Sequence, residues 1–179
     1  MKSCFNLALI SCTFLVIVSC NSRPQVKDQE TITKAEAGLF QDSSRIPIPA
    51  KADSVINMYL AYADSYQDDT LSAEYLFRAG DLAQGIGRFK KAIEYYGRIQ
   101  RYPNYRKSPE ALFLQGFVSE TGLADTSSAR QFYEKFLKLY PKHEMVKDAK
   151  ASLDNMGKTP EELIRQFESK LSGDSSALN

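Results

Sequence analysis

The chain has no tryptophan, a single histidine (His143) and three cysteines, Cys4, Cys12 and Cys20, all within the first twenty residues. One histidine excludes a histidine-rich metal site and any two-histidine mechanism within one chain. The cysteine placement leaves the chain beyond residue 20 without a thiol and therefore without an internal disulfide. In the absence of tryptophan, aromatic packing rests on 10 Tyr and 10 Phe. Neither sign of charge dominates, with 23 Lys+Arg against 22 Asp+Glu. That balance lacks the global basic field that nucleic-acid binders carry, so no nucleic-acid partner is expected. The uncharged, mostly apolar run from Phe5 to Val18 covers 14 residues, short of the roughly 20 that a spanning helix needs. Beyond residue 51 no stretch alternates in twos and β-branched residues are sparse, which argues against sheet. With 179 residues, there is room for one folded domain of ordinary size.

The first twenty residues read as an address. Met1-Lys2 gives a positive start and Phe5 to Val18 the short apolar core of a secretory signal. The segment Ile17-Val18-Ser19-Cys20 resembles the lipobox of bacterial lipoproteins. That resemblance implies cleavage before Cys20, acylation of Cys20, and loss of Cys4 and Cys12 with the signal. Stable anchoring takes more than one acyl chain, as such lipoproteins carry. Asn21 stands where Asp would favour inner-membrane retention, and Asn21-Ser22-Arg23-Pro24 is no acidic surface-export run. The expected location is the periplasmic face of the outer membrane, held through N-terminal acyl chains. Residues 1–19 are then signal peptide and 20–50 a lipidated tether. The tether contains Pro24, Pro47 and Pro49, and at most a short helix from Ile32 to Phe40. Arg45-Ile46-Pro47-Ile48-Pro49 cannot be helical, because each proline lacks an amide donor and disfavours helix in the residue before it. Residues 172–179 are small and polar, an expected disordered tail.

From residue 51 the periodicity is helical. Ala129, Phe132, Tyr133, Phe136, Leu137 and Tyr140 form one stripe of a 3.6-residue period, closed by Pro141. Ala92, Tyr95, Tyr96, Ile99 and Tyr102 repeat it, closed by Pro103. Gly97 sits inside that second stripe, at a cost of about 1 kcal/mol. Self-comparison aligns Ser72, Glu74, Leu76 and Phe77 with Ser108, Glu110, Leu112 and Phe113, and Gly80 with Gly116. Downstream, Ala92, Tyr96 and Pro103 align with Ala129, Tyr133 and Pro141. Each unit is a helix, a turn and a second helix.

Leu76, Gly80, Ala92, Tyr96 and Pro103, with their counterparts in the next unit, resemble the tetratricopeptide repeat (TPR). Two departures stand out: Ala83 and Ser119 occupy a position usually aromatic, and Leu76 and Leu112 one that is often Trp. Residues 51–66 look like a second helix lacking its first. After Pro141, an amphipathic helix through Met156 and another opened by the capping sequence Thr159-Pro160-Glu161-Glu162 close the stack, their outer face a solvated cap. The expectation is an all-α, TPR-like helical-hairpin solenoid, a right-handed superhelical stack over residues 51–171.

In TPR proteins the first helices line a concave groove. The resemblance therefore places Glu74, Phe77, Asp81 and Gln84 on the groove from one unit, and Glu110, Phe113, Phe117 and Glu120 from the next. The aligned Phe77 and Phe113 suit core packing equally well. Lipobox, tether and repeat body together resemble periplasmic TPR lipoproteins, such as those that serve outer-membrane β-barrel assembly and cell-division coordination. A protein or peptide partner in the cell envelope is what this implies, for a scaffold or adaptor. The rival class is an accessory protein that binds envelope polysaccharide through exposed tyrosines.

No motif organises catalysis, and no cofactor is implied. Gly85-Ile86-Gly87 has no preceding strand and no Gly-Lys-Ser/Thr, so it reads as an interhelical turn. Asp68-Asp69 lacks calcium-loop spacing and reads as the cap of the following helix. Residues 53–81 are mainly acidic and 88–107 mainly basic. The opposite signs serve either attraction between neighbouring helices or a basic patch facing an anionic surface or partner.

Overall fold

The computed structural model describes residues 24–40 and 47–175, with side chains to residue 169. The order is α1 (Pro24–Glu36), α2 (Pro49–Ser65), α3 (Thr70–Gly85), α4 (Phe89–Arg98), α5 (Ser108–Leu123), α6 (Thr126–Leu139), α7 (Val146–Asn155) and α8 (Pro160–Ser175). Helices α2 to α6 pack in sequence, each against the next. This is an all-α, TPR-like stack of helix pairs.

Local chemistry sets the helix ends. Asp69 caps α3 by accepting from the Leu71 amide (3.0 Å), as its place before Thr70 predicts. At α8, Thr159 and Glu162 bond reciprocally: the Thr159 amide donates to Glu162 (2.8 Å) and the Glu162 amide to Thr159 Oγ1 (3.3 Å), a capping box. The α3–α4 turn passes through Gly87 at φ 75°, a conformation that favours glycine.

Small residues let the helices of a pair approach. A Cβ at Gly80 would lie 2.4 Å from the Tyr96 ring, and one at Gly116 would lie 2.8 Å from Tyr133. Ala92 and Ala129 are fully buried. Gly97 has a reason that its helix alone does not give. A Cβ there would sit 2.9 Å from Gln115 Nε2, and that nitrogen crosses from α5 to donate to the Ile93 carbonyl (3.1 Å).

Two expectations need correction. The packed body begins upstream of residue 51. Helix α1 lies against α2, with Ile32 and the following Leu39 buried in the main core, and is the first helix that pairs with residues 51–66. Most of the segment read as tether is thus folded, because Ile32 of α1 and Leu39 just beyond it bury apolar surface that docks an otherwise polar segment. At the other end, α7 packs on α6 and the charged face of α8 is solvated as expected, but the apolar stripe of α8 is not covered. Ile164 and Phe167 on its apolar stripe are exposed, since periodicity makes a stripe but does not supply a neighbour to cover it.

Ion pairs form both within and between helices. Arg88 on the flank of α4 pairs with Asp53 of α2 (2.6 Å), and Arg98 pairs with Asp64. The opposite signs of residues 53–81 and 88–107 therefore meet in surface ion pairs that bridge from α4 to α2 across the stack. Exposed pairs of this kind contribute about 0–1 kcal/mol each.

Candidate functional site

The first helix of each pair meets the second through a repeated tyrosine–carboxylate bond. Tyr59 of α2 donates to Glu36 of α1 (2.6 Å). Tyr96 of α4 donates to Asp81 of α3 (2.7 Å), and Tyr133 of α6 to Glu120 of α5 (2.8 Å). These tyrosines are buried. Burial first, and then the neighbouring carboxylates, push all three phenols above their ordinary value. Gln84 also accepts from Tyr96 (3.2 Å). Asp81, Gln84 and Glu120 therefore serve the pairing of helices before they serve any partner.

The phenylalanines divide. Phe77 is 3 % exposed and Phe113 7 %. Phe77 packs on Tyr96 and Tyr105, and Phe113 on Tyr133 and Phe136. Both belong to the core, which removes them from the groove assignment. Each points at the second helix of its pair, where its ring meets the buried tyrosine. Phe117 is 37 % exposed and remains on the open surface.

Glu74 stands at the centre of a charged cluster. It accepts from the Tyr105 hydroxyl (2.6 Å) and from Arg78 Nε (3.0 Å). Lys107 Nζ lies 3.9 Å from it and 4.3 Å over the centre of the Phe77 ring, a cation–π contact. Arg78 reaches on to Glu36 (2.8 Å). Burial alone would push the Glu74 carboxyl up; the Tyr105 hydroxyl, Arg78 and Lys107 overcome it and hold the carboxyl below its usual range. Burial and then Glu74 push the Tyr105 phenol up. The groove is thus not simply acidic, since cations of the same chain answer Glu74.

Two clefts open between units. One, of about 640 Å³, lies between the start of α3 and the α4–α5 turn, with Leu71, Glu74, Tyr102 and Tyr105 in its wall. The other, of about 550 Å³, lies between the start of α5 and the α6–α7 turn, with Lys107, Glu110 and His143 in its wall. The repeat relates the two, and Glu74 and Glu110 hold equivalent places in them. His143 caps its own turn: Nδ1 accepts from the Met145 amide (3.3 Å).

Of the residues expected on the groove, Glu74 and Glu110 line clefts and Phe117 is exposed. Asp81, Gln84 and Glu120 bond within their pairs, and Phe77 and Phe113 are core. Sequence reasoning missed Glu36, Arg78, Tyr105 and Lys107. Only Arg78 left a signal, four residues after Glu74 on one helix face. Among the described residues, no group of three or more His, Cys, Asp or Glu is placed to hold a metal ion, and no helix is long and apolar enough to cross a membrane. Cys20 and the signal segment lie outside the described residues.

The tetratricopeptide-repeat family profile matches residues 74–105 and 110–143. Each matched segment opens at the glutamate that lines a cleft and contains one of the tyrosine–carboxylate bonds that join the helices of a pair. The chain carries a TPR-repeat domain. No curated protein matches it.

Proposed function

We propose that this TPR-bearing chain is a lipid-anchored adaptor of the bacterial cell envelope, whose repeats hold a protein partner at the periplasmic face of the outer membrane. The binding role is carried by the tandem repeats themselves, a fold that mediates protein–protein contacts, with clefts open between units beside Glu74 and Glu110. Anchoring is supported by Ile17-Val18-Ser19-Cys20 after an apolar run too short to span. The partner segment that fits is extended or helical. It has apolar side chains for the exposed Phe117 and basic ones to meet Glu110, and the mixed charge around Glu74 disfavours a uniformly charged ligand.

Cys20→Ala and Phe117→Ala test the two halves separately. Metabolic labelling with a fatty acid should mark the wild type and not Cys20→Ala, which should also leave the membrane fraction. Phe117→Ala should keep the label and the membrane association while crosslinked envelope partners are lost. An unlabelled wild type ends the anchoring reading. Undiminished capture by a folded Phe117→Ala protein moves the binding site elsewhere.

A further inference from the structure

Anchoring at Cys20 and packing of α1 together constrain how the body sits on its membrane. Only Asn21, Ser22 and Arg23 separate Cys20 from the first residue of α1. Whatever path they take, those links span at most about 14 Å. The start of α1 is itself fastened to the body: Gln25 donates to Tyr62 (3.0 Å) and to Asp69, and the Tyr66 hydroxyl donates to Asp28 (2.8 Å). The acyl chains would therefore emerge within about 14 Å of the end of the stack that holds the α2–α3 turn.

That end is one continuous edge. One cleft joins Gln67 and Asp68 to residues 101–106, and the other joins Arg106 to residues 143–145. The α2–α3, α4–α5 and α6–α7 turns thus lie side by side, with the start of α1 beside the first of them. The edge carries exposed apolar side chains that the fold does not use: Val26 in the first turn of α1, Leu71 in the first turn of α3, and Leu139 at the end of α6. Exposed Arg101, Arg106 and Lys142 stand among them, and Tyr102 and Tyr140 are half-buried there. Asp68 and Glu144 are exposed acids at the same turns, and the flanking helix turns add exposed Asp28, Asp64 and Asp148 beside exposed Lys27, Lys138 and Lys147. Aliphatic side chains, tyrosines and snorkelling cations form the composition that rests at a bilayer interface.

We infer that this turn edge is a membrane-contact surface. The three residues between the acylated Cys20 and α1 hold it against the anionic lipid headgroups of the anchoring bilayer, so that the repeat clefts open along the membrane rather than at the end of a long tether. The inference rests on the anchoring reading above.

The lipidated full-length product, purified from labelled cells, tests it in vesicles of phosphatidylcholine with phosphatidylglycerol. Asn104→Cys places a fluorophore on the turn edge, and Ser127→Cys places one on the opposite edge, at the start of α6; both positions are exposed. An aqueous quencher should reach the Ser127 site freely and the Asn104 site several-fold more slowly. Charge reversal by Arg101→Glu, Arg106→Glu and Lys142→Glu should weaken edge contact by roughly ten-fold or more and expose the Asn104 site. With acyl label present, equal quenching of both sites overturns the membrane-contact edge alone. Protection that survives charge reversal, or is equal in pure phosphatidylcholine, overturns the anionic-headgroup assignment. Absence of acyl label overturns the anchoring reading and this inference together.

Discussion

Phe113 and Phe117 sit four residues apart on α5 and meet opposite surroundings. Phe113 is enclosed by Tyr133 and Phe136, while Phe117 is partly open to solvent. Phe113→Ala should cost roughly 3–5 kcal/mol, the range for a buried aromatic truncated to a cavity. Phe117→Ala should cost about 1 kcal/mol or less. Urea unfolding with unchanged m-values measures both. Equal losses would place Phe117 in the core and remove it from the partner site. Glycine positions carry the complementary constraint. Gly80 has no room for a methyl group against Tyr96, so the ring and the glycine are one packing decision written at two places in the chain.

Within each helix pair, the contact depends on small residues on the second helix as well. Ala92 and Ala129 occupy equivalent, fully buried positions of α4 and α6. Enlarging either to Leu should overpack the pair and cost roughly 1–3 kcal/mol. Lys135→Leu, on the exposed side of α6, should change stability by about 0.5 kcal/mol or less. Thermal melts of the three variants decide it, and matched shifts would mean the repeat register is misassigned. Helix α1 illustrates what an element's own residues leave open. Its polar, proline-started sequence gives little amphipathic signal. It folds onto α2 because Ile32 is buried there, with Leu39 just beyond the helix, and because Gln25 and Glu36 bond Tyr62 and Tyr59 of α2 and Asp28 bonds Tyr66 just past its end.

For the molecule as a whole, the tyrosine–carboxylate bonds and the Glu74 cluster set a pH window. Tyr59, Tyr96 and Tyr133 have folded-state values raised above their ordinary one. Their stabilisation is complete below the unfolded tyrosine value of about 10 and is lost as pH rises beyond it. Glu74 is shifted the other way. Its contribution is present above the unfolded glutamate value of about 4.3 and is lost as pH falls through the lower folded value. Denaturant midpoints should therefore hold level near neutrality and fall at both ends. Tyr96→Phe should soften the alkaline fall, and Glu74→Gln the acid one. An alkaline limb unchanged in Tyr96→Phe would show that this bond does not carry it.

Residue spacing alone determined the helical pairs, the two units from Glu74 and Glu110, the caps at Asp69 and Thr159, and the turn at Gly87. Each of these depends on residues within one turn or on a repeat that the chain states twice. Tertiary structure alone decided that Phe77 faces Tyr96 rather than a groove, that Glu74 is answered by Lys107 and Tyr105, that Gly97 makes way for Gln115, and that α1 belongs to the body. Those outcomes depend on what stands across a helix interface, often tens of residues away. A hydrophobic period states only that a face will be covered, and the shape and charge of the opposing helix choose the side chain that covers it.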